Sequence, residues 1–436
     1  MLCELSQLVG KLEGWERLTD AKKQRVCDDI IKFFGRSEIP VYEIAALAQS
    51  LACSGDTWIW PAKIHPTADV PSTGGTSSLT TLLCPYLLAA HQIFVPKLSV
   101  AGFTAGAIDT LALLQGFKTV LNYGEMLFSL KASRIAHSET TDKIAPADGY
   151  LFRRRAELAK KSMVPLVVSS LLAKKIAASC SAGVLDVRCC PKGNLGRDHP
   201  SCIANARIFI RTAQSVGIVM ACAVTDHSVP RLPYLGRSEN LMALLQIISA
   251  KSENEIPVNL RQHSETCIKI AATTLVILKI FDRISEARDS VCERLFSGSV
   301  NEVFQRHIRA QGASLRSIRT FEQRFEQSQF YDVYAQRDGN LRGVDIPSIV
   351  PVLSRINQAA RNQKDAVGVV LVKEIGNRVR SGEIIMRIRR SCSVRANQMS
   401  VLRQACAGGI QISDENSLPI DSELVTIVSD EGILYE

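Results

Sequence analysis

Two stretches of this chain bring chemistry-bearing residue types to a useful spacing. The first is Pro71-Ser72-Thr73-Gly74-Gly75-Thr76-Ser77-Ser78. Adjacent glycines let a backbone turn tightly and let amide N–H groups approach an anion with no Cβ in the way. Hydroxyls on both sides add donors, and helical patterning resumes at Leu79–Ala90. The glycines therefore fall just before a helix N-terminus, where free N–H groups and a partial positive charge favour an anion. This pattern reads as a phosphate cradle. The second stretch is the apolar helix expected over Pro165–Ser181, which carries Ser169, Ser170, Lys174 and Lys175. Ser170 and Lys174 are four apart, so they share one helix face.

The elements that must position these groups change texture along the chain. Residues 1–60 read as helices. Asp20 is the expected N-cap of a helix over Ala21–Phe34 whose Val26, Ile30, Ile31 and Phe34 share a face, and Gly35 stops it. The next helix begins at Ile39-Pro40 and points Tyr42, Ile44, Leu47 and Leu51 inward. After the Ser/Gly loop come a strand over Phe94–Val100, a second Gly-containing turn over 101–106, and a helical stretch over Asp109–Leu114. This alternation predicts βα units and a largely parallel sheet, with both turns at the carboxyl ends of strands, where such sheets bind ligands. Strands are expected again at Gly183–Val187 and Val216–Thr225, helices over Ile203–Ala213, Ser238–Ala250 and Ser264–Ile280, and a polar helical hairpin over Val291–Gly312. Short strands near 332–335, 340–344, 368–372 and 384–389 then read as a small α+β domain.

Composition limits what such a chain can be. It has 436 residues, 22% charged and 46% hydrophobic, the balance of a globular enzyme of two or three domains. Net charge is +9, which favours anionic ligands. The basic runs, Arg153 to Arg155 and Arg387 to Arg390, lack interleaved stacking aromatics, so no nucleic-acid partner is expected. No apolar run approaches the roughly 18 residues that span a bilayer, so no membrane partner is expected either. Thirteen cysteines, with no basic leader and apolar run at the N-terminus, read as reduced thiols of a cytoplasmic protein. Cys189, Cys190, His199 and Cys202 match no standard zinc spacing, and no metal is expected.

Several stretches together resemble the pyrimidine-nucleoside phosphorylase family, which includes thymidine phosphorylase. Asp69-Val70-Pro71-Ser72-Thr73-Gly74-Gly75 resembles the family's phosphate loop. Gly106-Ala107-Ile108-Asp109-Thr110 leading to Gln115-Gly116-Phe117 resembles its second turn. Val164 to Lys175 resembles its substrate helix, Val184-Leu185-Asp186-Val187-Arg188 the next strand, and Gly368-Val369-Val370-Leu371 with Gly376, Val379, Gly382 and Glu383 its C-terminal pattern. The resemblance implies an α/β fold with a split all-helical domain (1–60 and 147–181), an α/β domain with a central mostly parallel sheet (61–146 and 182–328) and a C-terminal α+β domain (329–436). It also implies a homodimer, and a cleft in which a pyrimidine nucleoside meets inorganic phosphate as co-substrate, without any other cofactor.

The chemistry the resemblance implies is cleavage of an N-glycosidic bond, with phosphate attacking C1′ and free base leaving. In the family an arginine, a serine and a lysine grip the base. Ser170 and Lys174 match the last two. An ungapped alignment puts Arg155 at the arginine and Phe152 at a tyrosine, while a two-residue shift would give Arg153 and Tyr150. Lys174 and Arg155 are thus the implied catalytic residues, with Ser170, Phe152 and Val167 as substrate contacts. Ser72, Thr73, Gly74, Gly75, Thr81 and Ser99 are the implied phosphate contacts. The phosphate end departs from the pattern: Val70 stands for the family's lysine, Pro71 for its histidine, Ala107 for a threonine and Ser78 for an aspartate. Lys63, His65, Lys97 and Lys192 are the candidate replacement cations. That departure keeps two alternatives open, a hydrolase or transferase using another small nucleophile, and a non-catalytic nucleoside-binding homologue.

Overall fold

The computed structural model describes residues 2–36, 38–73, 78–100, 106–191, 193–227, 232–359, 365–391, 393–414 and 425–434. The chain opens with helices α1 (Leu2–Gly10), α2 (Asp20–Phe33) and α3 (Val41–Ala52). Strand β1 (Ala68–Asp69), α4 (Thr80–Ala90), β2 (Val95–Ser99), α5 (Ala107–Leu111), α6 (Tyr123–Ser133) and β3 (Ile135–Glu139) follow. Next are α7 (Pro146–Glu157), α8 (Val164–Ala177), β4 (Ala182–Cys189), α9 (His199–Ser215), β5 (Val219–Asp226) and β6 (Tyr234–Leu235). Helices α10 (Arg237–Ser249), α11 (Val258–Ile277), α12 (Ile284–Phe296), α13 (Ser299–Ala310) and α14 (Leu315–Glu326) lead to the last part. There β7 (Gln329–Tyr334), β8 (Gly339–Val344), α15 (Ile346–Ala359), β9 (Val367–Leu371), β10 (Arg378–Val379), β11 (Ile384–Arg390), α16 (Ala396–Gly409), β12 (Ile410–Ser413), β13 (Val425–Val428) and β14 (Ile433–Leu434) complete the chain.

The central sheet runs β1-β4-β5-β13-β14, with β1, β4 and β5 parallel. A parallel bridge from Thr67 to Phe94 continues it to the parallel pair β2–β3. The expected α/β fold with a mostly parallel sheet is therefore present, and β1, β2 and β4 deliver Asp69, Ser99 and Cys189 at their carboxyl ends. Register is tight where it matters. Gly183 lies opposite Asp69, and a Cβ there would collide with the Asp69 carbonyl oxygen. Helices α1–α3, α7 and α8 share one apolar core with α9 on one side of the sheet, while α4, α10, α11 and α13 share another. No helix among the described residues is long and apolar enough to cross a membrane.

Several local expectations change. Thr19, not Asp20, caps α2: its hydroxyl accepts from the Lys22 N–H, and Asp20 becomes an acidic residue of the first turn. Tyr42 is 51% exposed. It lies two residues, about 200° of helix, from Ile44, so it cannot share the buried stripe of Ile44, Leu47 and Leu51. Helix α6, capped reciprocally by Asn122 and Glu125, and strand β3 occupy a stretch that shows no clear sequence pattern.

The C-terminal part is interlocked with the rest. Strand β6 pairs antiparallel with β9, while β13 returns antiparallel to β5. Between them lies a buried ionic knot. Arg389 Nε donates to Glu239 Oε1 at 2.5 Å, and its Nη2 donates to Asp365 Oδ2 at 2.5 Å. Asp365 in turn accepts from the backbone N–H groups of Arg237 and Ser238 at the start of α10. Gly368 leaves room for the Glu239 carboxylate, which a Cβ there would strike. Burial raises the Glu239 pKa; Arg389 opposes and Asp365 adds to it. Arg389→Met would leave two buried carboxylates without a cation. It is expected to cost about 3–5 kcal/mol at neutral pH, a deficit that shrinks as falling pH neutralises the acids. Denaturant melts across pH read both.

Candidate active site

Helix α8 is fixed at its C-terminal end. Trp60 Nε1 donates to the Ala178 carbonyl at 2.7 Å and the Trp58 N–H to that of Ala177 at 2.8 Å. Beyond the helix, Ser181 and Thr67 exchange hydrogen bonds that tie its exit to the start of β1. The start of α7 is tied to the end of α3, where the Ala147 N–H donates to Ser54 Oγ at 3.1 Å. These anchors set α7 against α8.

The groups expected to grip a base gather between those two helices. Lys174 Nζ donates to Asp148 Oδ2 at 2.5 Å, to the Ser170 carbonyl at 2.9 Å and to Ser170 Oγ at 3.1 Å. Arg155 lies seven residues, two turns, beyond Asp148 on the same face of α7, and is 3% exposed. Its Nε and Nη1, and Asp148 Oδ1, find no hydrogen-bond partner among the described residues. Burial lowers the Arg155 pKa, with the Asp148 carboxylate opposing the effect. Phe152 is half-buried with its ring 5.8 Å from the Arg155 guanidinium, and Val167 is buried in α8. Of the two alignments, only the ungapped one supplies a buried arginine, since Arg153 is exposed. Asp148 is the residue sequence reasoning missed. A lone acid in the first turn of a helix signals only the helix start.

The other end is built around β4. Ser72 bridges Asp186, and the Thr73 N–H donates to the Asp186 carbonyl at 2.9 Å. Thr73 Oγ1 accepts the Arg188 N–H at 2.9 Å. The fully buried Asp186 carboxylate accepts from Thr80 Oγ1 at 2.6 Å, Thr225 Oγ1 at 2.7 Å and Arg188 Nε at 3.0 Å. Burial would raise its pKa, but Arg188 foremost, then His227 and the two hydroxyls outweigh this, and its pKa is lowered. The loop's base is thus a self-satisfied polar knot, with Arg188 a cation that sequence reasoning passed over as a strand residue. Thr81 is half-buried in the first turn of α4. Two amides there are already engaged: the Leu79 N–H donates to His263 Nε2 at 2.8 Å and the Thr80 N–H to Ser78 Oγ at 3.2 Å. Ser99 Oγ lies 2.6 Å from His137 Nε2, and burial holds that imidazole neutral. Gly74 and Gly75 lie outside the described residues, as does Lys192. Lys63 and His65 are exposed, Val70 points into the core, and Lys97 is buried.

The two ends meet through the neighbouring lysines of α8. Lys174 goes to Asp148, while Lys175 pairs with Asp69 Oδ2, the residue that leads into the loop. Lys97 holds the other oxygen, Asp69 Oδ1, at 2.7 Å. Two surface grooves of about 460 and 540 Å³, the first lined by Tyr331 and Arg403 and the second by Phe330 and Arg387, contain none of these residues. No group of three or more His, Cys, Asp or Glu among the described residues is placed to hold a metal, and His199 instead meets Thr426 Oγ1 at 2.9 Å.

This arrangement of helices on a parallel sheet is shared with solved structures. The anthranilate phosphoribosyltransferase of Thermus thermophilus superposes with a TM-score of 0.54 at 13% identity, over 71% of this chain and 94% of that one. A variant of the Saccharomyces cerevisiae enzyme in complex with 4-fluoroanthranilate gives 0.51 at 11% identity, over 70% and 91%. At these identities the likeness is one of fold. No family model matches the chain. In sequence it is 26% identical over 353 residues to the pyrimidine-nucleoside phosphorylases of Staphylococcus aureus strains USA300 and NCTC 8325, covering 79% of this chain and 79% of theirs. The chain is thus similar in sequence to pyrimidine-nucleoside phosphorylases, the family its motifs resemble.

Asp69 carries a measurable signature. Burial alone would raise its pKa, but Lys175 and Lys97 outweigh burial and hold the carboxyl well below the usual range. A depressed folded-state pKa gives stability that is full above the unfolded value, about 3.9, and is lost as pH falls toward the folded one. Asp69→Asn is expected to cost about 3–5 kcal/mol at neutral pH by stranding two buried ammoniums. Its deficit against the parent protein should narrow below about pH 4, which paired denaturant melts at neutral and acid pH measure.

Proposed function

We propose that this protein is a pentosyltransferase that cleaves the N-glycosidic bond of a pyrimidine nucleoside, with inorganic phosphate as acceptor. The products are free base and pentose 1-phosphate. One observation carries the reading: a buried arginine and a buried aspartate with unpartnered polar atoms face the same helix pair as the Ser170–Lys174 pair. Buried polar groups without partners are costly, and a flat heterocycle bearing carbonyl and N–H groups meets both needs at once. The curated relatives named pyrimidine-nucleoside phosphorylase support the same class.

In this reading the phosphate oxygen forms a bond to C1′ as the bond from C1′ to the base nitrogen breaks. Negative charge then spreads over the departing pyrimidine, which takes up a proton to leave as neutral base. Arg155 and Lys174 stabilise that charge, Ser170 orients the ring, and Phe152 and Val167 contact the substrate. Ser72, Thr73, Gly74, Gly75, Thr81 and Ser99 receive the anion. The division into a split helical domain, an α/β domain and a C-terminal domain, the homodimer and the cytoplasmic location belong to the same proposal. A second reading, attack by water or another small nucleophile, is favoured by Val70, whose side chain is buried in the core and leaves the loop without its own cation.

Incubation with uridine, thymidine, deoxyuridine and cytidine, with and without phosphate, separates the readings. Base release that requires phosphate is the expected result. Release without phosphate supports the second reading, and binding without release supports a non-catalytic homologue. Lys174→Ala is expected to slow base release by about 10²–10³-fold, the loss typical of one group serving developing charge.

A further inference from the structure

The loop lacks a cation, yet a buried surplus of positive charge lies directly behind it. Lys97 and Lys175 converge on the single carboxylate of Asp69, and all three are almost wholly buried. Two ammoniums against one carboxylate leave one positive charge uncompensated, which is expensive in a protein interior. The other groups facing the cluster do not offset it. His137 on β3, opposite Lys97 in register, is neutral. Burial pushes the Cys180 thiol, just past α8, up to about 12, so it carries no negative charge at neutral pH. Of the two lysines it is Lys97 whose ionised form is penalised, first by burial and further by Lys175, with Asp69 opposing.

Geometry gives Lys97 a direction. Its ammonium donates to Asp69 Oδ1 at 2.7 Å and to the Val70 carbonyl at 3.0 Å. An ammonium has three N–H donors, so the third has no partner among the described residues. Val70 is two residues before Ser72, on one wall of the expected anion subsite. Lys97 is two residues before Ser99 on β2, hence on the same face of the strand, on the other wall. The ammonium thus reaches the backbone two residues before Ser72 from a strand that also carries Ser99.

We propose that Lys97 is the cation of the anion subsite, carried on the floor strand in place of the loop lysine, and that it serves a phosphate-class oxyanion held by Ser72, Thr73 and Ser99. The proposal rests on the reading of that loop as the anion end of the site. An anion placed there neutralises the surplus charge, so the fold is incomplete electrostatically until the anion binds. Asp69 and Lys175 position Lys97 and do not themselves touch the ligand.

The test is calorimetric titration of inorganic phosphate, and separately of uridine, into the parent protein, Lys97→Met and Lys97→Gln. Glutamine can still donate to Asp69 and the Val70 carbonyl without charge, so it guards against a methionine variant that fails to fold. Phosphate affinity is expected to fall about tenfold to a hundredfold in either folded variant, the worth of a charge-assisted bond, with uridine affinity unchanged. Unchanged phosphate affinity in a folded variant overturns the proposal, and so does a parent protein that binds no phosphate. Because binding is read without turnover, a parent protein that binds phosphate but releases no base defeats the proposed reaction and leaves the Lys97 assignment standing.

Discussion

The structure depends on two neighbouring lysines of α8 and the two aspartates that hold them. Adjacent residues on a helix point about 100° apart, so Lys174 and Lys175 cannot serve one site. Lys174 is held by Asp148 on α7 and Lys175 by Asp69 on β1. One ion pair thus lies inside the helical layer, and the other crosses from that layer to the sheet. Both are buried, and breaking either would leave a charge stranded out of water. The spacing between the proposed base end and anion end is consequently tied to one residue step of one helix, not to loops.

The sequence was most informative where spacing alone decides geometry. Ser170 and Lys174 share a face because they are four apart, and their hydrogen bond follows. Of the parallel strands, β2, β4 and β5 announced themselves as apolar runs, while β1 and β3 did not. What stayed hidden was hidden for physical reasons. The triple-arginine run reads as a solvated face, yet its members have three fates. Arg153 is exposed near Tyr150, Arg154 makes a forked pair with Asp28, and Arg155 is buried with unpartnered nitrogens. Only the phase of α7 against α8, a tertiary fact, separates them. Strand β3 reads Ile-Ala-His-Ser-Glu, and its buried His137 and Ser138 break any apolar signature because their partners come from other elements. The return of β13 to the central sheet from the far end of the chain has no local signal at all.

The two ends of the site differ in how their polar groups are satisfied, and the difference bears on mechanism. At the base end, Arg155 Nε and Nη1 and Asp148 Oδ1 wait without partners. At the anion end the described groups have mostly found one another: Ser99 with His137, Thr73 with the Arg188 N–H, Leu79 with His263, and Asp69 with two lysines. A ligand at the proposed base end would therefore gain hydrogen bonds without breaking any of these. A ligand at the anion end must either exchange existing bonds or rely on long-range charge, since a hydroxyl already held can still donate elsewhere only if its acceptor role alone is in use. The neutral imidazole of His137 decides this for Ser99. If its Nε2–H donates, the serine proton is left to point at the ligand. If the other tautomer is present, the hydroxyl is spent on the ring. If phosphate binds as proposed, it rewards the tautomer that turns the serine proton toward it, so ligand and tautomer select each other.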